Sequence, residues 1–322
     1  MNMKKHKTTI LLTMILGVFI ITRCGSNNED SGMFVALSNS SGKVAYSTDG
    51  INWSTGQPLP GATWRSVCYG KGMFVAVCTN GDMAYSTDGE IWQQYTWGVD
   101  NWWSVCYGNG KFVVVASGSS GKIAYSPNGK DWTEAIWSGT ENWFSVCYGI
   151  GMFIVVDLSG KIAYSPNGKD WTEATLSGGI GTWQIVCYGK GKFIASANNY
   201  LIAYSNNVID WTVKPISDRF NSICYGNGKF VAVPDSGNKV YHSADGISWS
   251  EAKNELPGYS STWSVCYGDG KFIAVGGKDV GIDIAAYSYD GINWTTISMP
   301  DSVSGSWGSI TYGLDEDVFG FL

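Results

Sequence analysis

From residue 33 onward the chain repeats itself. The segment Gly121–Ala135, GKIAYSPNGKDWTEA, recurs unchanged at Gly160–Ala174. A looser unit, W-x-S-V-C-Y-G-x-G-K-F-V-A-V followed by G-K-I-A-Y-S-x-D/N-G-x-x-W-T, runs throughout. Its tyrosines fall at Tyr69, Tyr107, Tyr148, Tyr188, Tyr225, Tyr267 and Tyr312, spaced by 38, 41, 40, 37, 42 and 45 residues. A period near 40 identifies a repeat architecture, in which each unit is one supersecondary element that buries its apolar face only against its neighbours.

Each unit holds four short β-type runs set apart by turn signals. In one example, strand a is Trp143–Tyr148 and Gly149-Ile150-Gly151 is a tight turn. Strand b is then Met152–Val156, strand c is Lys161–Ser165, and Pro166-Asn167-Gly168 turns into strand d around Trp171. Four strands per ~40 residues is the size of a β-propeller blade. No apolar stripe of helical period and length occurs after residue 32, which excludes a helical solenoid. Six units are complete between Trp64 and Pro300. The first fragment, from Met33 to Trp53, lacks strand a, and the last, Trp307–Tyr312, has strand a without c or d. Joined, they make a seventh blade, and the expected fold is an all-β, seven-bladed propeller of four-stranded antiparallel blades closed by the N- and C-terminal strands. Closure removes the sheet edges that invite aggregation. Val318–Leu322 reads as a second strand b in competition with Met33–Leu37.

The c–d turns carry Ser-x-Asp/Asn-Gly-x-x-Trp, centred on Asp49, Asp88, Asn128, Asn167, Asp245 and Asp290, with Asn207-Val208 as a seventh copy lacking the glycine. This resembles the Asp-box, or BNR, repeat of sialidase-like propellers, seven-bladed xyloglucanases and photosystem II assembly-factor propellers, with one residue fewer between Asp and Trp than the usual S-x-D-x-G-x-T-W. The residues themselves explain the turn: a short Asp or Asn side chain accepts from turn amides, Gly supplies positive φ, and Trp packs beneath. These seven positions are therefore expected to be structural.

Residues 1–23 form a basic stretch (Lys4, Lys5, Lys7) and an uncharged run, Thr8–Thr22, ahead of Arg23 and Cys24. Fifteen residues of helix reach about 22 Å, short of the ~30 Å hydrocarbon core, so an export signal is expected. The sequence Ile21-Thr22-Arg23-Cys24 resembles a bacterial lipoprotein signal, although Arg23 stands where a small residue is usual. It implies lipidation of Cys24 and a cell-envelope or surface location, against a plain signal peptide or a short uncleaved anchor. Residues 24–31 then read as a tether and 32–322 as one domain, a monomer touching membrane only through its lipid.

Composition narrows the functions. The formal charge is −6, and without residues 1–23 the chain has 17 basic and 27 acidic residues, which leaves no basic footprint for nucleic acid. The sialidase-like resemblance implies a triad of arginines, but only Arg65 and Arg219 follow residue 24. The single histidine there, His242, lies in a c strand, so Ser-His catalysis and histidine-based zinc sites have little to draw on. No metal or cofactor is expected. Glycoside hydrolysis needs only two carboxylates, and Asp157, Asp235, Asp279 and Asp283 in or near b–c loops are its candidates. Cys68, Cys106, Cys147, Cys187, Cys224 and Cys266 repeat at one strand-a position, where ring spacing disfavours bridges; they read as small buried side chains, with Cys78 an unpaired extra.

Of the 16 tryptophans, seven belong to c–d turns and six (Trp64, Trp102, Trp143, Trp183, Trp263, Trp307) lead into strand a. Trp97, Trp103 and Trp137 follow no repeat and fall in the d–a linkers 95–103 and 136–144. With Asp100, Trp102, Glu141 and Trp143 they offer flat apolar faces beside polar groups, suited to sugar rings or a protein hot spot. The expectation is a non-catalytic propeller that binds a glycan or an extracellular or envelope protein, with a glycoside hydrolase as the alternative and an assembly scaffold third.

Overall fold

In a computed structural model, residues 32–61, 63–118, 121–258, 263–277, 283–300 and 307–314 are described; among them there is no helix. The strands form seven antiparallel sheets around an axis, a seven-bladed β-propeller. Blade 1 is the composite of both chain ends. Its strand a, Trp307–Gly313, pairs with strand b, Met33–Ser38, in the register Phe34↔Tyr312 and Ala36↔Ile310. Strands c and d, Val44–Ser47 and Ser54–Thr55, complete it. Blades 2 to 7 follow in chain order. The signal segment, Cys24 and Val318–Leu322 lie outside the described residues.

The b strands read as continuous apolar runs, such as Phe-Val-Ala-Val, because both their faces are covered. Phe74, Phe112, Phe153 and Phe193 on these strands are buried. The apolar clusters form between blades rather than within them. Val75 and Val77 of blade 2, for example, pack with Trp102, Phe112 and Val114 of blade 3. Phe34 and Ala36 of blade 1 pack with Ile273 and Val275 of blade 7, which closes the ring.

The a–b turns have positive φ at both central residues, as in Asn109-Gly110 (46° and 72°) and Ile150-Gly151 (42° and 78°). This is the two-residue hairpin turn whose twist matches that of its strands, and for which Asn-Gly is the favoured sequence. In the c–d turns the Ser47 hydroxyl accepts the Gly50 N–H at 2.8 Å, and Asp49 Oδ1 accepts those of Ile51 and Asn52 at 2.8 and 2.7 Å. Val208 adopts φ +65° where the other blades have glycine, held by burial against Ile154 and its neighbours.

Side chains three apart in these turns are complementary. Asp49 and Asp290 accept from the amides of Asn52 and Asn293, while the amides of Asn128, Asn167 and Asn207 donate to Asp131, Asp170 and Asp210. Each of these five turns thus carries one carboxylate and one amide. A second clip joins neighbours: the second residue after strand d donates its N–H to the next blade's c–d turn, as Ile136 to Lys169 O and Thr175 to Ile209 O, both 2.8 Å. At blade 5 this clip lengthens into Thr175–Ser177, which pairs in parallel with Asp210–Pro215 as a fifth strand.

Candidate functional site

The seven strands a surround the axis, and a cavity of about 390 Å³ lies among them. Its wall begins with the repeat itself. The strand-a serines Ser66, Ser104, Ser145, Ser222, Ser264 and Ser309 line it, all but Ser222 together with the following Val or Ile. Several of these hydroxyls link adjacent blades: Ser309 accepts Val67 N at 3.2 Å, Ser66 accepts Val105 N at 3.2 Å, and Ser145 accepts Val186 N at 3.1 Å.

Between the leading aromatic and that serine the strand carries an extra residue. The register slips between Trp64 and Ser66, Trp102 and Ser104, Trp143 and Ser145, Trp183 and Ile185, Phe220 and Ser222, and again around Gly308. Each slip is a β-bulge, a device that re-aims one side chain. The bulge residues are Arg65, Trp103, Phe144, Gln184, Asn221 and Gly308, and all six line the cavity. Blade 7 has no slip in its strand a, Ser264–Gly268. Trp263 there is still buried with its Nε1 donating to Gly237 O, just as Trp143 and Trp183 donate to Gly121 O and Gly160 O. The residue missing from blade 7 is thus the bulge residue, not the tryptophan.

Where the repeat is invariant it builds the wall; where it varies it faces the cavity. The Arg65 guanidinium lies over the Trp103 ring, 4.1 Å from its centroid, and Phe144 packs on Trp103 at 4.5 Å and 45°. Gln184 and Asn221 continue the arc with amides, and the Asn221 amide donates to Trp263 O at 2.8 Å. At Gly308 a Cβ would stand 2.9 Å from Asn39, so the absence of a side chain there lets Asn39 join the wall.

The proposed linker cluster is different in kind. Trp103 and Phe144 are not linker residues but sit inside strands a, Asn101–Gly108 and Trp143–Gly149. Trp102 and Trp143 are fully buried and offer no face to a ligand, which corrects that expectation. Trp97 stacks on Trp102 at 5.2 Å and 28°, and Trp137 packs edge-on against Trp143 at 5.4 Å and 69°. Trp137 Nε1 donates to Glu141, which also accepts from Lys161 at 2.7 Å, and Asp100 pairs with Lys122 at 3.0 Å. Burial opposes the charge on Glu141, yet its hydrogen bonds from Lys161 and Trp137 hold its carboxyl below the usual range. Each of these loops folds over its own tryptophan and leaves its acid satisfied.

Among the candidate carboxylates, Asp157 is fully buried and accepts from Ser159 Oγ and Lys161 N at 2.6 and 2.7 Å. Asp235 pairs with Arg219 at 3.0 Å. Asp279 lies outside the described residues, and for Asp283 only the backbone is described, opposite Gly277. His242 is half-buried, and burial with Lys229 nearby lowers its pKa. Cys68, Cys78, Cys106, Cys147, Cys187, Cys224 and Cys266 are free thiols, each pushed up by burial.

The sequence reading missed Arg65, Phe144, Gln184, Asn221 and Gly308 as a set. The signal was present: the x of W-x-S is the variable position in an otherwise fixed strand. Without the bulge, alternation gives no reason to aim it inward.

No family model and no curated protein matches the sequence. Solved structures do match the fold. A streptogramin B lyase is 11% identical with a TM-score of 0.67, covering 89% of this chain and 94% of its own. YCF48 bound to D1 peptide is 13% identical with a TM-score of 0.54, covering 91% and 88%. AztD from Citrobacter koseri is 12% identical with a TM-score of 0.55, covering 89% and 88%. At these identities the likeness is one of fold, the seven-bladed propeller.

Proposed function

We propose that this protein is a non-catalytic binding propeller that seats the end of a glycan in its axial cavity, and that it is exported and held at the cell envelope by lipid on Cys24. One observation supports the binding reading most strongly. The repeat's variable position supplies an arc of Arg65, Trp103, Phe144, Gln184 and Asn221 around a cavity lined with serine hydroxyls. Hydroxyl and amide groups beside aromatic rings are the donors, acceptors and apolar surface that a sugar presents in mirror image. A volume of about 390 Å³ is at the small end of the range of about 300–1,000 Å³ for small-molecule sites, which suits one or two sugar units rather than a long chain. The described cavity-lining residues include no carboxylate, and two are needed in the usual scheme for glycoside hydrolysis.

Glycan-array binding by the full propeller tests this reading. Trp103→Ala is expected to weaken binding, and Trp137→Ala to leave it unchanged. Loss of binding with Trp137→Ala alone would return the site to the linkers, and sugar release would return the reading to a hydrolase.

A further inference from the structure

Among the described residues that line the cavity, Arg65 alone carries a formal charge. Among the described residues it has no ion pair, and its Nε is buried without a hydrogen-bond partner. Burial disfavours its charge, and the ionisable neighbour that acts on it, Cys78, is itself a thiol pushed up by burial. A half-buried guanidinium with no counter-charge costs stability unless something completes it. Trp103 holds one face of the guanidinium, which keeps the fork rigid. Arg219, by contrast, is paired with Asp235.

We infer that Arg65 receives the carboxylate of an acidic sugar, so that the glycan end taken by the cavity is a uronic acid or a sugar of like charge. This rests on the glycan reading above and adds its charge. Arg presents parallel N–H groups that match a carboxylate in a bidentate pair. The amides of Gln184 and Asn39 and the serine hydroxyls remain for the ring hydroxyls. The chain's formal charge of −6 works against polyanions at long range, whereas a single carboxylate meets Arg65 within a short, desolvated approach.

Calorimetric titration of the full propeller with methyl glucuronide, methyl glucoside and a capped tripeptide with a free C-terminal carboxylate tests the inference. The glucuronide is expected to bind on the order of 10- to 100-fold more tightly than the glucoside. Arg65→Ala should remove that preference, and Arg65→Lys should restore only part of it, since it keeps charge but not the fork. Arg65→Met, which removes the unpaired charge but keeps an apolar stem on Trp103, should lose the preference without lowering Tm. If both sugars bind equally, or if Arg65→Met keeps the preference, the charge assignment falls and the glycan reading stands. If neither sugar binds, both fall. An Arg65-dependent affinity for the peptide alone would overturn the sugar and assign the site to a peptide terminus.

Discussion

The ring of Tyr69 lies on the α-carbon of Gly313, where an added Cβ would meet Tyr69 Cδ2 at 2.4 Å. The same relationship joins Gly70 to Tyr107, Gly108 to Tyr148, Gly149 to Tyr188, Gly189 to Tyr225, Gly226 to Tyr267 and Gly268 to Tyr312. The Tyr-Gly pair at the end of each strand a is therefore a blade-to-blade contact, with the glycine of one blade making room for the tyrosine of the next. Gly313 and Tyr69 close the circle between the last described strand and the first complete blade.

Gly313→Ala should force these elements apart and cost about 1–3 kcal/mol, the range for overpacking a filled site. Urea unfolding would show a lower midpoint. Tyr69→Ala placed on Gly313→Ala should cost less than the two changes summed, because the clash has already been removed.

Ile150 holds φ +42° at the tip of an a–b turn, a conformation that a β-branched residue adopts only under strain. Asn at the equivalent position 109 adopts φ +46°. Ile150→Asn should stabilise the protein by about 0.5–1 kcal/mol, read as a rise in Tm of about 1–3 °C.

The carboxylate–amide pairing of the c–d turns can be inverted. Asn128→Asp places a second carboxylate beside Asp131 and should destabilise the turn by about 0.5–1 kcal/mol at neutral pH. Adding Asp131→Asn should recover the loss by recreating the arrangement of Asp49 with Asn52. Equal stability of the single and double variants would show that the pair is not coupled.

Acid should act through the turns that carry Asp. Burial opposes the Asp49 charge, but the N–H groups of Asn52 and Ile51 and the side chains of Asn52 and Ser47 outweigh it, bringing its pKa to about 2. Asp245 is also held at about 2, chiefly by the Ser248 N–H, and Asp88 and Asp290 are lowered. A carboxylate lowered on folding contributes fully above its unfolded value near 3.9 and loses that contribution as pH falls through the folded value. Stability should therefore drop between about pH 4 and pH 2. Asp49→Asn with Asn52→Asp moves the charge to the partner, so a circular-dichroism acid titration of that variant reports whether Asp49 itself sets part of the drop.

Trp137 and Trp103 should separate packing from recognition. Trp137→Ala removes an edge-on partner of the buried Trp143 and the donor to Glu141, and should cost about 1–3 kcal/mol, below the 3–5 typical of a fully buried ring. Trp103→Ala should change stability less and ligand affinity more, as seen by comparing Tm with calorimetric titration.

The fold was legible because its instructions are local and repeated. The fragment that opens at Met33 lacks strand a and Trp307–Tyr312 is a strand a without c or d, which predicted the closure observed in the pairing of Phe34 with Tyr312. The d–a tryptophans misled for a local reason. Trp97 and Trp137 break the repeat, but each lies one loop ahead of a buried tryptophan on which it packs. A departure from periodicity marks a residue that does something different, without saying whether it faces a ligand or a neighbour.

Sequence alone determined the number of blades and the turns between their strands, since each depends on residue spacing within about 40 positions, and the incomplete first and last units implied how the ring closes. Only the tertiary structure decided which side chains meet at the axis. Strand alternation assigns faces by parity, and the bulge after Trp64, Trp102, Trp143, Trp183 and Phe220 resets that parity by one residue. Arg65, Trp103 and Phe144 belong to three different repeats, and it is the packing of one blade on the next that turns them into a single surface.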